Sequence, residues 1–496
     1  MSGIEASGYA LTPPEILSKN ESTGSKYIQT IRNKVYHRLI QILGGDNGNF
    51  AAAILIGETK AIPKTISENM RNSGVAHVLS VSGLHLSLVA MLFFVSCRVI
   101  LNCSNYFAYN TNIKIIAASA SIIGSFMYLQ ISGSNIAATR AFIMSSVFII
   151  SLMLGRSPEP LRSIMIAAFL ILLFFPEYIF HPSFQLSFAA VLCLISGYEL
   201  YIKYENVINS AKGIFFSIKF YVYGNIYSSL LASIATAPFV IFHFYKFATY
   251  SVLMNLIAVP LMSFFMMPLG LISMLLMPFG ADEFPLKALG FFISIVTSSA
   301  AYITALPASV WAWGHISPMS LAVFSLCFFW VCLWKTKWRL AGLAVMFLSL
   351  FMMNNTKKPD FIYDHTLKAI GLNSQRLGSP KLGSPRLEFQ IYVHDKMPKF
   401  TSNYWVSWYG AKEASITRKK IAAKDLIFKL PSGKTVSLNY WRCTYADIQI
   451  ITSKKLKCDN GGQVISNKEL WKHKQILLYC DEKECRVQYR EQNRWW

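Results

Sequence analysis

Charge is scarce in this sequence. Charged residues are 15% of the 496, where a soluble globular chain carries about 25%. Acidic residues are the scarcer sign, with 25 Asp+Glu against 47 Lys+Arg. Hydrophobic residues take up 53% of the chain, and the mean hydropathy is +0.39. That composition excludes a disordered chain and argues against an ordinary soluble enzyme. Catalytic signatures are missing as well: no GxxxxGK[ST] loop, no GxSxG elbow, no HExxH and no HxHxDH. His365, His394 and His473 are scattered without ligand spacing. The expectation is therefore no enzyme, no cofactor and no metal. The first 25 residues are polar and hold no apolar core, so no cleavable signal peptide is expected.

What is present is apolar and blocky. Several runs reach the roughly 18 to 20 residues needed to cross a bilayer. The predicted fold class is an α-helical polytopic membrane protein of about ten spans, with a small β-rich C-terminal soluble domain. Residues 1–76 form a polar leader with an amphipathic stretch at Ile31–Leu43 and an AAAILIG segment at 51–57. Residues 77–353 are the transmembrane body, and 354–496 a basic β-rich tail. Spans are predicted near 78–101, 113–131, 137–154, 163–180, 184–200, 221–243, 251–279, 288–307, 316–334 and 340–353. The 251–279 run contains Pro260 and Pro268, so it reads either as a kinked helix or as two half-helices.

Positive charge sets the orientation. Ten spans put Arg98, Lys114, Arg156, Arg162, Lys203, Lys212, Lys219, Lys287, Lys335, Lys337 and Arg339 on one side, against Arg140 and Lys246 on the other. The first side is then cytoplasmic, and both termini and the basic tail face outward. The tail holds 26 Lys+Arg against 13 Asp+Glu, which suggests anionic partners, lipid head groups first and nucleic acid second.

The tail alternates apolar and polar runs (LEFQIYV, KDLIFKL, KTVSLNYW, QILLYC), the pattern of strands joined by turns such as PSGK and DNGG. A tandem LGSP at 377–387 reads as a loop. Cys443, Cys458, Cys480 and Cys485 are disulfide candidates if the tail faces outward, since their spacing does not suit zinc. Cys97, Cys103, Cys193, Cys327 and Cys332 lie in or beside spans as small apolar residues.

The densest polar signal in an apolar setting is HVLSVSGLHLSLVAML. It puts His77, Ser80, Ser82, Gly83 and His85 at the mouth of the first span. Polar groups there either face an aqueous path or simply sit at head-group depth. Gly83 allows close backbone approach or a local break. Arg140, in TRAFIM, either snorkels back to the surface or offers a planar cation to a phosphate. Gln185 in FQLSFAA and Asn255 in MNLIAVPL are amides in apolar spans, for which interhelical hydrogen bonding is the ordinary explanation.

These residues resemble the ComEC competence family, polytopic channels for single-stranded DNA entry in natural transformation. LIGETKAIPKTISENMRNSGVAHVLSVSGLHLSLV is similar to the segment leading into the family's HLLAISGLH signature. TRAFIM, FQLSFAA, TAPF and MNLIAVPL follow in the family's order. The resemblance implies an inner-membrane channel importing single-stranded DNA, with His77 to His85, Arg140, Gln185 and Asn255 in the pore or its packing. It also implies membrane lipids, a cytoplasmic ATP-driven translocation partner and an external DNA receptor as partners, and leaves self-association open. Family members usually carry an N-terminal OB-like barrel and often a metallo-β-lactamase-like domain. About 75 residues precede the first signature here, so a separately encoded OB-like module is a further expected partner. The tail lacks the metal ligands, so no nuclease activity is carried over. Trp405, Trp408, Tyr409 and Trp441 in the tail are either stacking platforms or the core of a β-domain. A decayed, inactive remnant and a permease for a small anionic solute are the competing expectations.

Overall fold

The computed structural model describes residues 23–354, with short breaks at 105, 107–110, 156–158, 209–213, 315 and 335. In the tail it describes 359–365, 369–374, 388–393, 416–420, 426–430, 432–439, 446–452, 463–473, 475–480 and 484–490. The chain divides into two compact units, 1–237 with 248–310, and 238–247 with 311–496.

The first unit is helical. It opens with α1 (Thr23–Leu43), α2 (Gly45–Ile56) and α3 (Lys64–Asn72), followed by a 3-10 turn at Ala76–Leu79. Next come α4 (Gly83–Asn102), α5 (Ile113–Ile131), α6 (Ile136–Met153), α7 (Pro160–Phe174), α8 (Pro182–Ile208) and most of α9 (Ile214–Phe244). It ends with α10 (Ser251–Phe279) and α11 (Glu283–Ala305). Local chemistry fixes several starts. The side chains of Asn112 and Asn135 accept the amides of Ile115 and Ala138 at the heads of α5 and α6. Pro160 and Pro182 open α7 and α8, where a missing amide costs nothing.

The centre of this unit is α2. Phe50 through Ile56 are at most 1% exposed and pack with Leu39, Met70, Leu86, Met262, Met266 and Ile293. Gly57 ends the helix in the left-handed region, and a Cβ there would lie 2.2 Å from the carbonyl oxygen of Ser132. The turn after α2 therefore rests directly on the turn between α5 and α6. Twelve residues make a helix of about 18 Å, too short to cross a bilayer. The AAAILIG segment is thus the buried middle of the helical unit.

Between Ser251 and Phe279 the helix is continuous. Pro260 and Pro268 flank a π-helical turn at Met262–Met266, which absorbs the lost backbone donors without breaking the rod. Of the two alternatives for this segment, the single helix is the observed one.

Among the described residues, six helices are long and apolar enough to cross a membrane: α4, α5, α6, Tyr221–Phe244 of α9, α10 and α11. Pro160–Phe174, Pro182–Tyr198, Pro318–Leu333 and Arg339–Met352 are apolar but shorter. All ten predicted segments contain helix, yet the predicted count of about ten spans is met by length in only six. At α7 the shortfall has a local cause: Pro176 opens a 3-10 turn (Pro176–Phe180) that takes residues a longer helix would have used.

The second unit holds the end of α9, then α12 (Pro318–Leu333), α13 (Arg339–Asn354) and the tail. Two sheets build the tail. Strands β1 (Phe361–Asp364), β2 (Ala369–Ser374), β3 (Glu388–Val393) and β4 (Ile416–Lys420) belong to the first. Strands β5 (Leu426–Lys429), β6 (Thr435–Asn439), β7 (Ile448–Ile451) and β8 (Gln463–Ile465) make the second. After a short helix α14 (Asn467–His473), β9 (Gln475–Cys480) and β10 (Cys485–Arg490) return to the first sheet. The orders are β10-β9-β1-β2-β3-β4 and β8-β7-β6-β5, both mixed. Phe361, Tyr363, Ile370 and Leu372 of one sheet meet Phe428, Val436, Leu438, Ile448 and Ile450 of the other in a single core. The predicted strand-rich tail is therefore a two-sheet domain. Cys480 and Cys485, directly paired across β9 and β10, form a disulfide. Cys443 and Cys458 lie outside the described residues, as do Trp405, Trp408, Tyr409 and Trp441.

Candidate functional site

Ser82 is the N-cap of α4, and His85 is its third residue. The amide of Ser82 donates to His85 Nδ1 at 3.2 Å, and the Ser82 hydroxyl lies 2.9 Å from the same nitrogen. This is a capping box with histidine in the position that glutamate or glutamine usually takes. An acceptor at Nδ1 leaves the proton of neutral His85 on Nε2. That Nε2 is buried and has no partner among the described residues, on a side chain 1% exposed. His77 is exposed on the 3-10 turn just before, and Ser80 is half-buried. A Cβ placed on Gly83 would come no closer than 3.8 Å, to the Cβ of Ala141. The close approach expected at Gly83 is thus ordinary contact; Gly57 and Gly74 are among the glycines where a Cβ would collide.

The contact with Ala141 brings the start of α4 beside Arg140. Arg140 is 4% exposed and does not snorkel. Its Nε donates to the carbonyl of Ile136 at 3.2 Å, and Nη1 donates to the carbonyl of Ser183 at the start of α8. No carboxylate pairs with it among the described ion pairs. A buried guanidinium satisfied by neutral carbonyls alone is costly, about 2.5–3.5 kcal/mol on insertion scales. It retains its full positive charge toward any anion that approaches.

Around Ser183 the α7–α8 turn is closely tied. The amide of Ser183 donates to His181 Nδ1 at 3.2 Å, and Gln185 Nε2 donates to the carbonyl of Ile179 at 2.9 Å. That bond of Gln185 is local to the turn, where the sequence leads one to expect an interhelical bond. Burial first, and then the charge of Arg140, push the His181 imidazole below its ordinary pKa. Sequence reading passes over His181, although it opens the HPSFQ run that carries Gln185.

A second approach reaches α10. Gly74 has φ +87°, and a Cβ there would lie 2.4 Å from the Cβ of Ser251, the first residue of α10. Asn255, one turn further along, is half-buried, with its Oδ1 buried and unpartnered among the described residues. His85, Arg140, Gln185 and Asn255 each lie within the first five residues of their helices. The structure sets the starts of α4 and α8 each against α6, through Gly83 and Ala141 and through Arg140 and Ser183, and packs α10's start against the loop leading into α4. It places no direct contact between Asn255 and Arg140.

A cavity of about 410 Å³ is lined by residues including Gln29, Arg32, Asn33, Tyr36, Glu58 and Lys60. Arg32 stands 4.0 Å from Glu58 and packs on Gly133, so the cavity adjoins the α5–α6 turn. Sequence reading misses it, though GETK within LIGETKAIPK carries the signal. No group of three or more metal-ligating side chains occurs among the described residues.

Comparison with known proteins decides the family. A family model described as Competence protein matches residues 54–338, more than half of the chain. This chain belongs to the competence protein family. ComE operon protein 3 of Bacillus subtilis is 24% identical over 278 residues, covering 55% of this chain and 32% of that protein. Competence protein ComA of Neisseria gonorrhoeae is 28% identical over 96 residues, 19% of this chain and 14% of that one. Uncharacterized protein RC0016 of Rickettsia conorii is 30% identical over 76 residues, 15% of this chain and 86% of that protein. The chain thus spans about a third of the length of ComE operon protein 3. No solved structure matches it. Every residue of the candidate site, from His77 to Asn255, falls inside the competence segment, and the tail falls outside it.

Proposed function

We propose that this competence protein is an inner-membrane channel that imports single-stranded DNA during natural transformation. The observation that carries the reading is Arg140: a buried guanidinium on α6, held by two backbone carbonyls, one of them at the start of α8, with the start of α4 against the neighbouring Ala141. A strand with one charge per nucleotide needs a wet, cationic route through about 30 Å of hydrocarbon. Helix starts supply the positive end of the backbone dipole, and unpaired amide protons with it. Arg140 adds a planar cation with donors to spare, and His85 adds a neutral N–H that the protein itself leaves unused. Sequential phosphates can pass such donors because none is a closed, saturating site. Lys60 and Arg32, beside the adjoining cavity, extend the cationic track.

The rest of the reading is physical economy. The chain holds no nucleotide-binding loop, so movement of the strand is assigned to an ATP-driven partner at the cytoplasmic face and capture to a DNA receptor outside. The four shorter apolar helices complete ten crossings, tilted or paired with bilayer thinning. With ten crossings, the loop charges favour both termini in the periplasm.

The test is DNA import in a transformable cell deprived of its own channel and expressing this chain. Labelled DNA protected from external nuclease supports the reading. Uptake of a small anionic solute without protected DNA would favour a permease, and neither, with the protein inserted, an inactive remnant.

A further inference from the structure

The tail carries an exposed aromatic and cationic surface that the channel reading does not use. At its centre is α14, seven residues long and closed by a capping box. The amide and hydroxyl of Ser466 donate to Glu469 Oε2 at 2.8 and 3.0 Å, and the amide of Glu469 donates back to Ser466 Oγ at 3.4 Å. Leu470 pins the helix to the core at 0% exposure. With Leu470 inward, the 100° step per residue sets Trp471 on one flank, Glu469 and His473 on the other, and Lys468 and Lys472 on the crown.

Both flanks are aromatic. Trp471 is 60% exposed, its ring 5.2 Å from that of His365. Tyr489 on β10 is 37% exposed, its ring 4.9 Å from that of His473. Glu469 is engaged by its own cap, which leaves the exposed Lys468 and Lys472 to set the sign of the crown. Two rings separated by a pair of ammonium groups match a chain of alternating bases and phosphates. A bilayer anchor would instead need one continuous apolar face, and here charge interrupts it.

We propose that this surface is a single-stranded nucleic-acid contact, in which Trp471 and Tyr489 stack on bases while Lys468 and Lys472 hold the phosphates between them. It takes its ligand from the DNA-import reading above, and its geometry from the tail alone. The contact tolerates any sequence, since every base offers a flat face. Through it the tail holds an incoming strand by its bases once the strand is single.

The experiment uses the full chain in nanodiscs of neutral lipid, with a fluorescent oligo(dT) read by anisotropy. Trp471→Ala and Tyr489→Ala each weaken binding by about fivefold to a hundredfold, whereas Trp471→Phe and Tyr489→Phe, which keep a ring, retain most of it. Lys468→Gln with Lys472→Gln flattens the slope of log affinity against log salt by about 1.4. An abasic strand of the same length binds the parent chain and Trp471→Ala alike. Unchanged oligo(dT) affinity in both alanine variants overturns the proposal. So does an equal loss for the abasic strand, or a loss of binding to anionic vesicles with none to oligo(dT). DNA import by the parent chain combined with indifferent variants would remove this surface and leave the channel. Trp471-dependent binding without import would do the reverse.

Discussion

Ser82 and His85 hold each other at the start of α4. The Ser82 amide sits 3.2 Å from His85 Nδ1 and its hydroxyl 2.9 Å from the same atom, while Nε2 is buried with no partner among the described residues. One side of the ring is structural, and the other is unspent. The two roles can therefore be separated by substitution.

His85→Asn keeps a short acceptor close to where Nδ1 lies and removes the Nε2 donor. Its expected outcome is a protein inserted at the parent level with reduced DNA import, matching His85→Ala in activity but exceeding it in stability. The stability difference is about 1 kcal/mol, the usual worth of a helix cap. Thermal unfolding in detergent beside the import assay checks both halves. Parent-level import by His85→Asn would assign His85 to capping alone.

Gly57 and Gly83 make opposite predictions. A methyl on Gly57 meets the Ser132 carbonyl at 2.2 Å on a backbone with φ +73°, so Gly57→Ala costs about 1–3 kcal/mol or more and lowers the amount of folded protein. A methyl on Gly83 finds only ordinary contact, so Gly83→Ala is expected within about 0.5 kcal/mol of the parent. Steady-state levels and melting of the two variants give the comparison.

Sequence reading and structure part company at these glycines. The apolar blocks and the tail's alternation could be read from periodicity, because burial in lipid or in a sheet imposes it. Arg140 and His85 stand out as polar residues in apolar runs. The burial of α2 was not legible, since AAAILIG is equally apolar in a short span, a core helix or a surface loop. The same holds for Gly57 and Gly74, whose bareness answers to Ser132 and Ser251, residues far along the chain. His181 escapes notice because Arg140, which reaches the adjoining Ser183 carbonyl, lies 41 positions away.

Arg38 and Asp282 tie α1 to the start of α11. Arg38 Nε and Nη2 donate to the two carboxylate oxygens of Asp282 at 2.9 and 3.0 Å, and the Asp282 side chain is fully buried while Arg38 is a third exposed. Arg38→Gln leaves a carboxylate buried alone, whereas Asp282→Asn leaves a guanidinium that water can reach. Arg38→Gln is expected to be the more destabilising of the two. The bond from Arg38 holds the Asp282 carboxyl below the ordinary carboxylate range. Its contribution is therefore complete above about pH 4, the unfolded value, and is lost as pH falls through the folded one. Melting temperature is expected to be level from neutral to mildly acidic pH and to drop on further acidification, with a shallower drop in Asp282→Asn. An equal acid limb in both proteins would contradict this.

The Cys480–Cys485 disulfide reports on orientation. In a chain with Cys443→Ser and Cys458→Ser, an impermeant thiol reagent is expected to label the tail from the periplasmic side, and only after reduction. Labelling confined to the cytoplasmic side would reverse the proposed topology.

The central claim is that Arg140 stands on the path of a single strand, and import tests it most directly. A transformable cell lacking its own channel would express the parent chain, Arg140→Lys or Arg140→Ala, each shown to be inserted at equal levels. The measured quantity is labelled DNA protected from external nuclease. The account predicts protected DNA with the parent chain, less with Arg140→Lys, which keeps the charge but not the fork that spans Ile136 and Ser183, and little with Arg140→Ala. Equal protection in all three would contradict it.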